Sequence, residues 1–197
     1  KISDALKAEN EELEARGGSN PNFLYREGEA LRTIYVVPSL GIDPSTGKEL
    51  YVNRFGDLTY VWDARDKQAC GVQDPKFRGN INTMFTWKDL SVNLSLAYRL
   101  GGYLYNSTLI DRVENADMKY NVDRRVYKDR WKKTGDHTFF KDVKDKTATQ
   151  MTSRFVQKEN TFLLSSLSLS YDFPREWLKK YRVNTLRLSF FANDLFR

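Results

Sequence analysis

An all-β, antiparallel fold of the transmembrane β-barrel kind is what this 197-residue sequence predicts, and three observations carry that expectation. First, residues 90 to 100 alternate strictly, with Leu90, Val92, Leu94, Leu96, Tyr98 and Leu100 set against Ser91, Asn93, Ser95, Ala97 and Arg99. Side chains on a strand point to opposite faces in turn, so this segment has one apolar and one wet face. About eleven residues at about 3.3 Å each, tilted by about 40°, reach roughly 27 Å, the height of a barrel's apolar band and well beyond the usual globular strand. Second, three further runs alternate in the same way: 77 to 87, 163 to 173 and 186 to 193. Third, the connections between the four runs are short, long and short, which puts both short links at one end, as in outer-membrane barrels.

The chain justifies its elements in order. Ser3 is a helix N-cap for Asp4 to Arg16, which ends before Gly17-Gly18. Only Ala5, Leu6 and Leu13 supply an apolar face, so the helix packs shallowly. Ser19 to Asn22 reads as a turn. Two β-rich runs follow, Ala30 to Val37 and Lys48 to Phe55, and the Pro, Asp and Gly content of Pro38 to Gly47 makes that joint the turn of a hairpin. Asp43, Ser45 and Glu49 lack the acidic density of a calcium loop, so an Asx-turn with Gly in the left-handed region is expected. After a break at Gly71 to Pro75, the run from Phe77 to Trp87 turns at Lys88-Asp89 into the opening strand. From Tyr103 to Thr161 the alternation stops, a length that compact soluble domains rarely leave unstructured. It resumes from Leu163 to Phe173, stops at Pro174, passes a link with one helical turn around Trp177-Leu178, and returns at Leu186, Leu188, Phe190 and Ala192.

The expected organisation is therefore a loop region over 1–76 with a helix and a β-hairpin, a transmembrane hairpin over 77–102, a long extracellular loop over 103–161, and transmembrane strands with a periplasmic turn over 162–197. Asn80, Asn82, Asn93, Arg99, Arg187 and Asn193 fall on the wet side and are the candidates for a lumen-facing surface. Turned toward lipid at the midplane, an arginine there would cost about 2 to 4 kcal/mol, so a one-residue slip is strongly disfavoured. Phe85, Trp87, Tyr171, Phe173 and Trp177 near the short links, and Tyr98, Tyr103 and Tyr105 near the long one, are placed to form interfacial girdles. An antiparallel sandwich with one solvated face also alternates, but it does not account for the strand lengths or the unequal connections.

Composition narrows the chemistry. No apolar run approaches a membrane-spanning helix, and the mean hydropathy of −0.64 is blind to strands that hide a lipid face in alternation. One cysteine, Cys70, permits no internal disulfide, and a single His137 offers little metal or acid-base chemistry. Neither catalytic nor metal-binding residues are assigned, and no cofactor is expected. The net charge of +6 is spread over 32 basic and 26 acidic residues, a solvated pattern rather than a nucleic-acid surface. Asp63 with Asp66, or Asp136 beside His137, could be cast as acid-base pairs, yet nothing in the sequence brings a partner into reach. Trp62, Arg130, Trp131 and Asp136 are the loop candidates for substrate or partner contact; alternatively Arg130, Trp131 and Asp136 fold the long loop onto itself. Lys1 is not a Met and Arg197 closely follows an apolar run, so both ends read as internal to a longer protein.

Several motifs, in order, resemble the C-terminal barrel region of SusC/RagA-type TonB-dependent outer-membrane transporters. They are Gly41 to Gly47 followed by Lys48 to Tyr51, Asp74 to Gly79 running into Trp87, and Tyr98 with Gly101-Gly102 and Tyr105-Asn106. Arg130-Trp131 through Asp136, Ser153 to Phe155, Leu167 to Tyr171 with Pro174, and Asn193 to Phe196 complete the set, which covers the chain from about Leu31 onward. His137 to Lys141 and Leu163 to Ser166 depart from the family pattern. The resemblance implies a multi-pass barrel in the outer membrane of a Gram-negative bacterium, filled by a plug that lies outside this chain and through which TonB supplies energy. It also implies a SusD-like lipoprotein lid and active import of a bulky nutrient, with oligosaccharide favoured and peptide open. The competing reading is a surface or secreted glycan-binding β-sandwich using Trp62, Trp131 and Tyr103.

Overall fold

The chain divides into two units, one made of the residues up to Asp74 with Tyr103–Lys158 and the other of Pro75–Gly102 with the residues from Glu159 onward. The structure is a computed structural model that describes residues 2–179 and 182–196.

In the first unit, helix α1 (Asp4–Ala15) starts where Ser3 Oγ accepts the Leu6 N–H at 3.4 Å. At its other end Lys67 Nζ donates to the carbonyls of Leu13, Glu14 and Arg16 at 3.1, 3.0 and 2.6 Å, a cation placed on the negative end of the helix dipole. None of its residues is buried, as its thin apolar face requires. The strands β1 (Asn22–Phe23), β2 (Thr33–Val36), β3 (Ser39–Ile42), β4 (Glu49–Val52), β5 (Leu58–Thr59) and β6 (Gln68–Val72) pair antiparallel in two small sheets, ordered β1-β2-β6 and β3-β4-β5.

The expected hairpin between Ala30–Val37 and Lys48–Phe55 does not form. β2 pairs with β1 and β6, whereas β4 takes as its partner β3, a strand inside the segment that reads as a turn. Gly41 at φ 99° and a register shift that leaves Leu40 as the extra residue break the period by which β3 would have been recognised. The expected Asx-turn is present just beyond. Asp43 Oδ1 accepts the Ser45 N–H at 2.8 Å and the Ser45 hydroxyl at 2.7 Å, and Gly47 sits at φ 72°.

The long segment expected as a loop is largely a folded part of this unit. It carries α2 (Ser107–Leu109), a π-helical turn over Ile110–Glu114, α3 (Arg125–Lys128) and a 3₁₀ turn over Ser153–Phe155. Tyr105, Ile110, Val113, Phe140, Met151 and Phe155 form a core with Ile34 and Val36 of β2. Each such side chain contributes roughly 1.5–3 kcal/mol of burial. Tyr105 is thus 6% exposed and Tyr103 packs on the same core, so neither belongs to a girdle.

The second unit is a four-stranded sheet ordered β10-β9-β8-β7, formed by β7 (Phe77–Trp87), β8 (Leu90–Tyr105), β9 (Val156–Asp172) and β10 (Arg187–Phe196). Lys88 at φ 53° and Asp89 close the β7–β8 hairpin, with Trp87 opposite Leu90. α4 (Arg175–Lys179) lies in the link from β9 to β10. β8 extends beyond Gly101-Gly102 and β9 starts before residue 162, because Gln157 to Asn160 and the glycine pair carry no apolar period to reveal them. Asp172 N donates to Asp89 O and Gly101 N to Asn160 Oδ1, each at 2.8 Å.

Candidate functional site

Directly paired residues in an antiparallel ladder share a face, so register converts the alternation of single strands into two surfaces. Along β7 and β8, Asn80 faces Ala97, Asn82 faces Ser95, Met84 faces Asn93, and Arg78 faces Arg99. On the other surface Gly79 meets Tyr98, Ile81 meets Leu96, Thr83 meets Leu94 and Phe85 meets Val92. Along β9 and β10, Arg187 faces Asp172 and Asn193 faces Ser166 on the polar side, while Leu188 faces Tyr171 and Phe190 faces Leu169 on the apolar side. All six wet-side candidates, Asn80, Asn82, Asn93, Arg99, Arg187 and Asn193, therefore lie on the polar members of these ladders. Arg187 is held by Asp172 through contacts of 2.6 and 2.7 Å, and Ser95 Oγ donates to Asn82 Oδ1 at 2.6 Å. Arg78 and Arg99 are like charges in direct opposition, a juxtaposition that water or an anion relieves. The apolar surface leaves Ile81, Phe85, Leu188 and Phe190 more than half exposed. Such a continuous exposed apolar face marks contact with a partner or a membrane. At Gly79 a Cβ would come within 2.7 Å of Tyr98 Oη, so the bare glycine leaves room for the Tyr98 ring to lie across β7.

The loop candidates come to structural posts in the first unit. Trp62 packs against the core and its Nε1 donates to Met151 O at 3.1 Å. Arg130 is 5% exposed and one of its terminal nitrogens donates to the carbonyls of Val113 and Glu114, both at 2.6 Å, capping the π turn. Burial lowers the Arg130 pKa from its usual value. Trp131 Nε1 and Gly135 N both donate to Pro44 O at 2.9 Å, and Asp136 Oδ2 accepts the N–H groups of Lys132 and Lys133 at 3.2 and 3.1 Å. The 131–136 turn is thereby clasped to the 43–47 turn, with the Trp131 ring lying over Gly47. A Cβ at Gly47 would stand 2.6 Å from that ring, at a φ of +72°. Gly47→Val is expected to lower stability by about 2 kcal/mol or more and to unseat Trp131, read as a red shift of its fluorescence; an unchanged spectrum and melt would remove the clasp.

Asp43 anchors the same turn. The Tyr60 hydroxyl, at 2.5 Å, and Ser45 hold its carboxyl below the ordinary value of 3.8. A depressed carboxyl stabilises the fold fully above the unfolded value and loses that contribution as pH falls toward the folded one, so the turn persists to acid conditions. Asp63 is chelated by Arg65, which brings its pKa down to about 2, and the buried Asp66 accepts the Arg54 N–H at 3.1 Å with the Arg54 guanidinium 3.7 Å away. His137 is exposed and Asp136 is engaged by backbone, so neither acid-base pairing is assembled.

Sequence reasoning missed the most deeply buried polar cluster. Arg154 meets Glu49 through contacts of 3.1 and 2.7 Å and Glu114 at 3.0 Å, its guanidinium lies 4.6 Å from the Phe155 ring centroid, and a terminal nitrogen also donates to Phe139 O. Side-chain exposures of 3% for Arg154, 3% for Glu49 and 0% for Glu114 make this a fully desolvated triad. The Ser153 to Phe155 and Lys48 to Tyr51 motifs contain Arg154 and Glu49, but nothing in the sequence joins them to each other or to Glu114. Beside it, two cavities of 440 and 320 Å³ flank the segment Asp145 to Ala148, whose backbone and Thr147 hydroxyl are held by Lys141 Nζ.

The exposed alternating sheet and the folded loop unit have counterparts among known proteins, although no protein-family model matches the chain. TonB-dependent receptor P3 of Formosa agariphila is 25% identical over 182 residues, covering 84% of this chain and 17% of that receptor. The chain resembles a segment of a SusC/RagA-type TonB-dependent receptor. The solved RagAB peptide transporter superposes with a TM-score of 0.65 at 21% identity, over 83% of this chain and 19% of that one. The RagAB peptide importer in its open-open state gives 0.68 at 20% identity, over 90% of this chain and 20% of that one. This receptor-like chain thus spans a fifth or less of the length of these relatives, which are a receptor and transporters rather than enzymes. Among its described residues no helix is long and apolar enough to cross a membrane.

Proposed function

We propose that this chain supplies wall strands and a folded extracellular loop unit to a transmembrane β-barrel in the outer membrane that actively imports a bulky nutrient. The observation that carries the reading is the register of β7–β8 and β9–β10, which sorts the side chains of both hairpins into one exposed apolar face and one polar face. On this reading the face bearing Ile81, Leu94, Phe85 and Phe190 meets lipid. The face bearing Asn80, Asn82, Asn93, Arg99, Arg187 and Asn193 meets the lumen or a plug supplied by the rest of the receptor. TonB acting on that plug provides the energy, and a SusD-like lipoprotein closes over the loops. Oligosaccharide is the proposed cargo; the RagAB relatives are peptide transporters, which makes peptide the competing class.

Deleting the gene for the full receptor should abolish growth of its host on oligosaccharide as sole carbon source while growth on the monosaccharide persists. Loss on peptide instead would transfer the cargo to the competing class. Unimpaired growth on both, with the protein soluble without detergent, would favour the glycan-binding sandwich.

A further inference from the structure

We infer that the two cavities flanking Asp145–Ala148 form one binding cleft for an acidic oligosaccharide, a conclusion that rests on the import reading and narrows its cargo. The cavities share Asp145, Thr147 and Ala148, and with volumes of 440 and 320 Å³ each lies in the range that holds a small ligand or a sugar unit. Charge accounting gives the sign of the ligand. Glu114 and Glu49 share Arg154, Arg130 is buried in the wall of the larger cavity, and Asp145 lies 3.4 Å from Lys141 Nζ, so three inner carboxylates are balanced by three inner cations. At the rim, Lys119 and Lys146 line the larger cavity and Lys48 the smaller. All three are exposed, and among the described residues their ammonium groups make no ion pair or hydrogen bond. Asp117 is the one rim carboxylate, and it accepts the Lys119 N–H at 3.0 Å. Three free ammonium groups against one carboxylate favour an anionic guest.

The lining favours a sugar over a peptide. The larger cavity is walled by turn and coil segments and offers no strand edge for pairing with an extended backbone. Tyr60 borders the smaller cavity with a half-exposed ring, pinned by the hydroxyl bond to Asp43, a fixed apolar surface for one face of a pyranose. Lys141 fixes the intervening segment from beneath, so the cleft is already formed without its guest.

The test is calorimetric titration of the purified full-length receptor with a tetramer of galacturonic acid, with the fully methyl-esterified tetramer and with tetraglutamate. The acid should bind at least tenfold more tightly than the ester, weaken as salt rises, and lose tenfold or more in the Lys119→Gln/Lys146→Gln variant. Lys132→Gln, on a lysine outside both cavities, should bind as wild type, and matching melting curves show that the variants fold. Equal affinity for acid and ester, no binding of either, or an unaffected double variant overturns the cleft, as does preference for tetraglutamate. If the gene deletion still blocks growth on neutral oligosaccharide, the import reading stands while this inference fails.

Discussion

Leu94→Arg should prevent the receptor from assembling in the outer membrane, while Asn93→Arg should assemble at nearly wild-type levels. The two positions are adjacent on β8, so they share depth, strand and sequence context, and differ only in face: Leu94 opposes Thr83 on the apolar surface and Asn93 opposes Met84 on the polar one. An arginine near the midplane of the lipid face costs about 2–4 kcal/mol, whereas on the polar face it keeps its water. That cost is a large part of a marginal stability of about 5–15 kcal/mol. The measurement is the amount of protease-resistant receptor in the outer-membrane fraction, normalised to total synthesis. Equal recovery of both variants would remove the assignment of faces.

The second large effect is expected at Arg154. Arg154→Ala leaves Glu49 and Glu114, whose side chains are 3% and 0% exposed, without their cation, and stranding a buried charge costs about 3–5 kcal/mol. Because Glu49 lies on β4, Glu114 ends the π turn and Arg154 precedes β9, the loss would uncouple three distant segments of the first unit. Trypsin should then cut the segment from Lys119 to Lys146 at least tenfold faster than in wild type, while the four-stranded sheet stays resistant. The triple change Glu49→Gln, Glu114→Gln, Arg154→Met should recover much of the resistance, since it removes all the buried charges together. No acceleration in Arg154→Ala would show that the triad does not hold the unit.

The sheet was legible because a period of two survives in a single sequence wherever one face is apolar, as from Leu90 to Leu100. Its ends were not, since Gln157 to Asn160 continue β9 with polar residues that carry no period. The first unit resisted reading for a different reason. Its core joins Ile34 and Val36 to Ile110, Val113, Met151 and Phe155, contacts whose sequence separation leaves no local trace. Asp43 to Gly47 was readable as an Asx-turn because its chemistry is local, but its partner Trp131 was not. Arg154, Glu49 and Glu114 look individually like surface charges, and only their convergence marks them as buried. Trp62, Arg130, Trp131 and Asp136 stood out as unusual residues in a loop, and their partners now account for each as a fastening of the folded unit.

Spin-label accessibility tests the central claim most directly. In full-length receptor reconstituted into bilayers, with Cys70 and every cysteine outside this segment replaced by Ser, labels are placed one at a time from position 91 to 96 along β8. The account predicts alternation: labels at 92, 94 and 96 collide with lipid-soluble oxygen and little with a water-soluble nickel chelate, and labels at 91, 93 and 95 do not share that preference. A series without alternation, or with high chelate accessibility at 94, would contradict a strand whose Leu and Val face meets lipid.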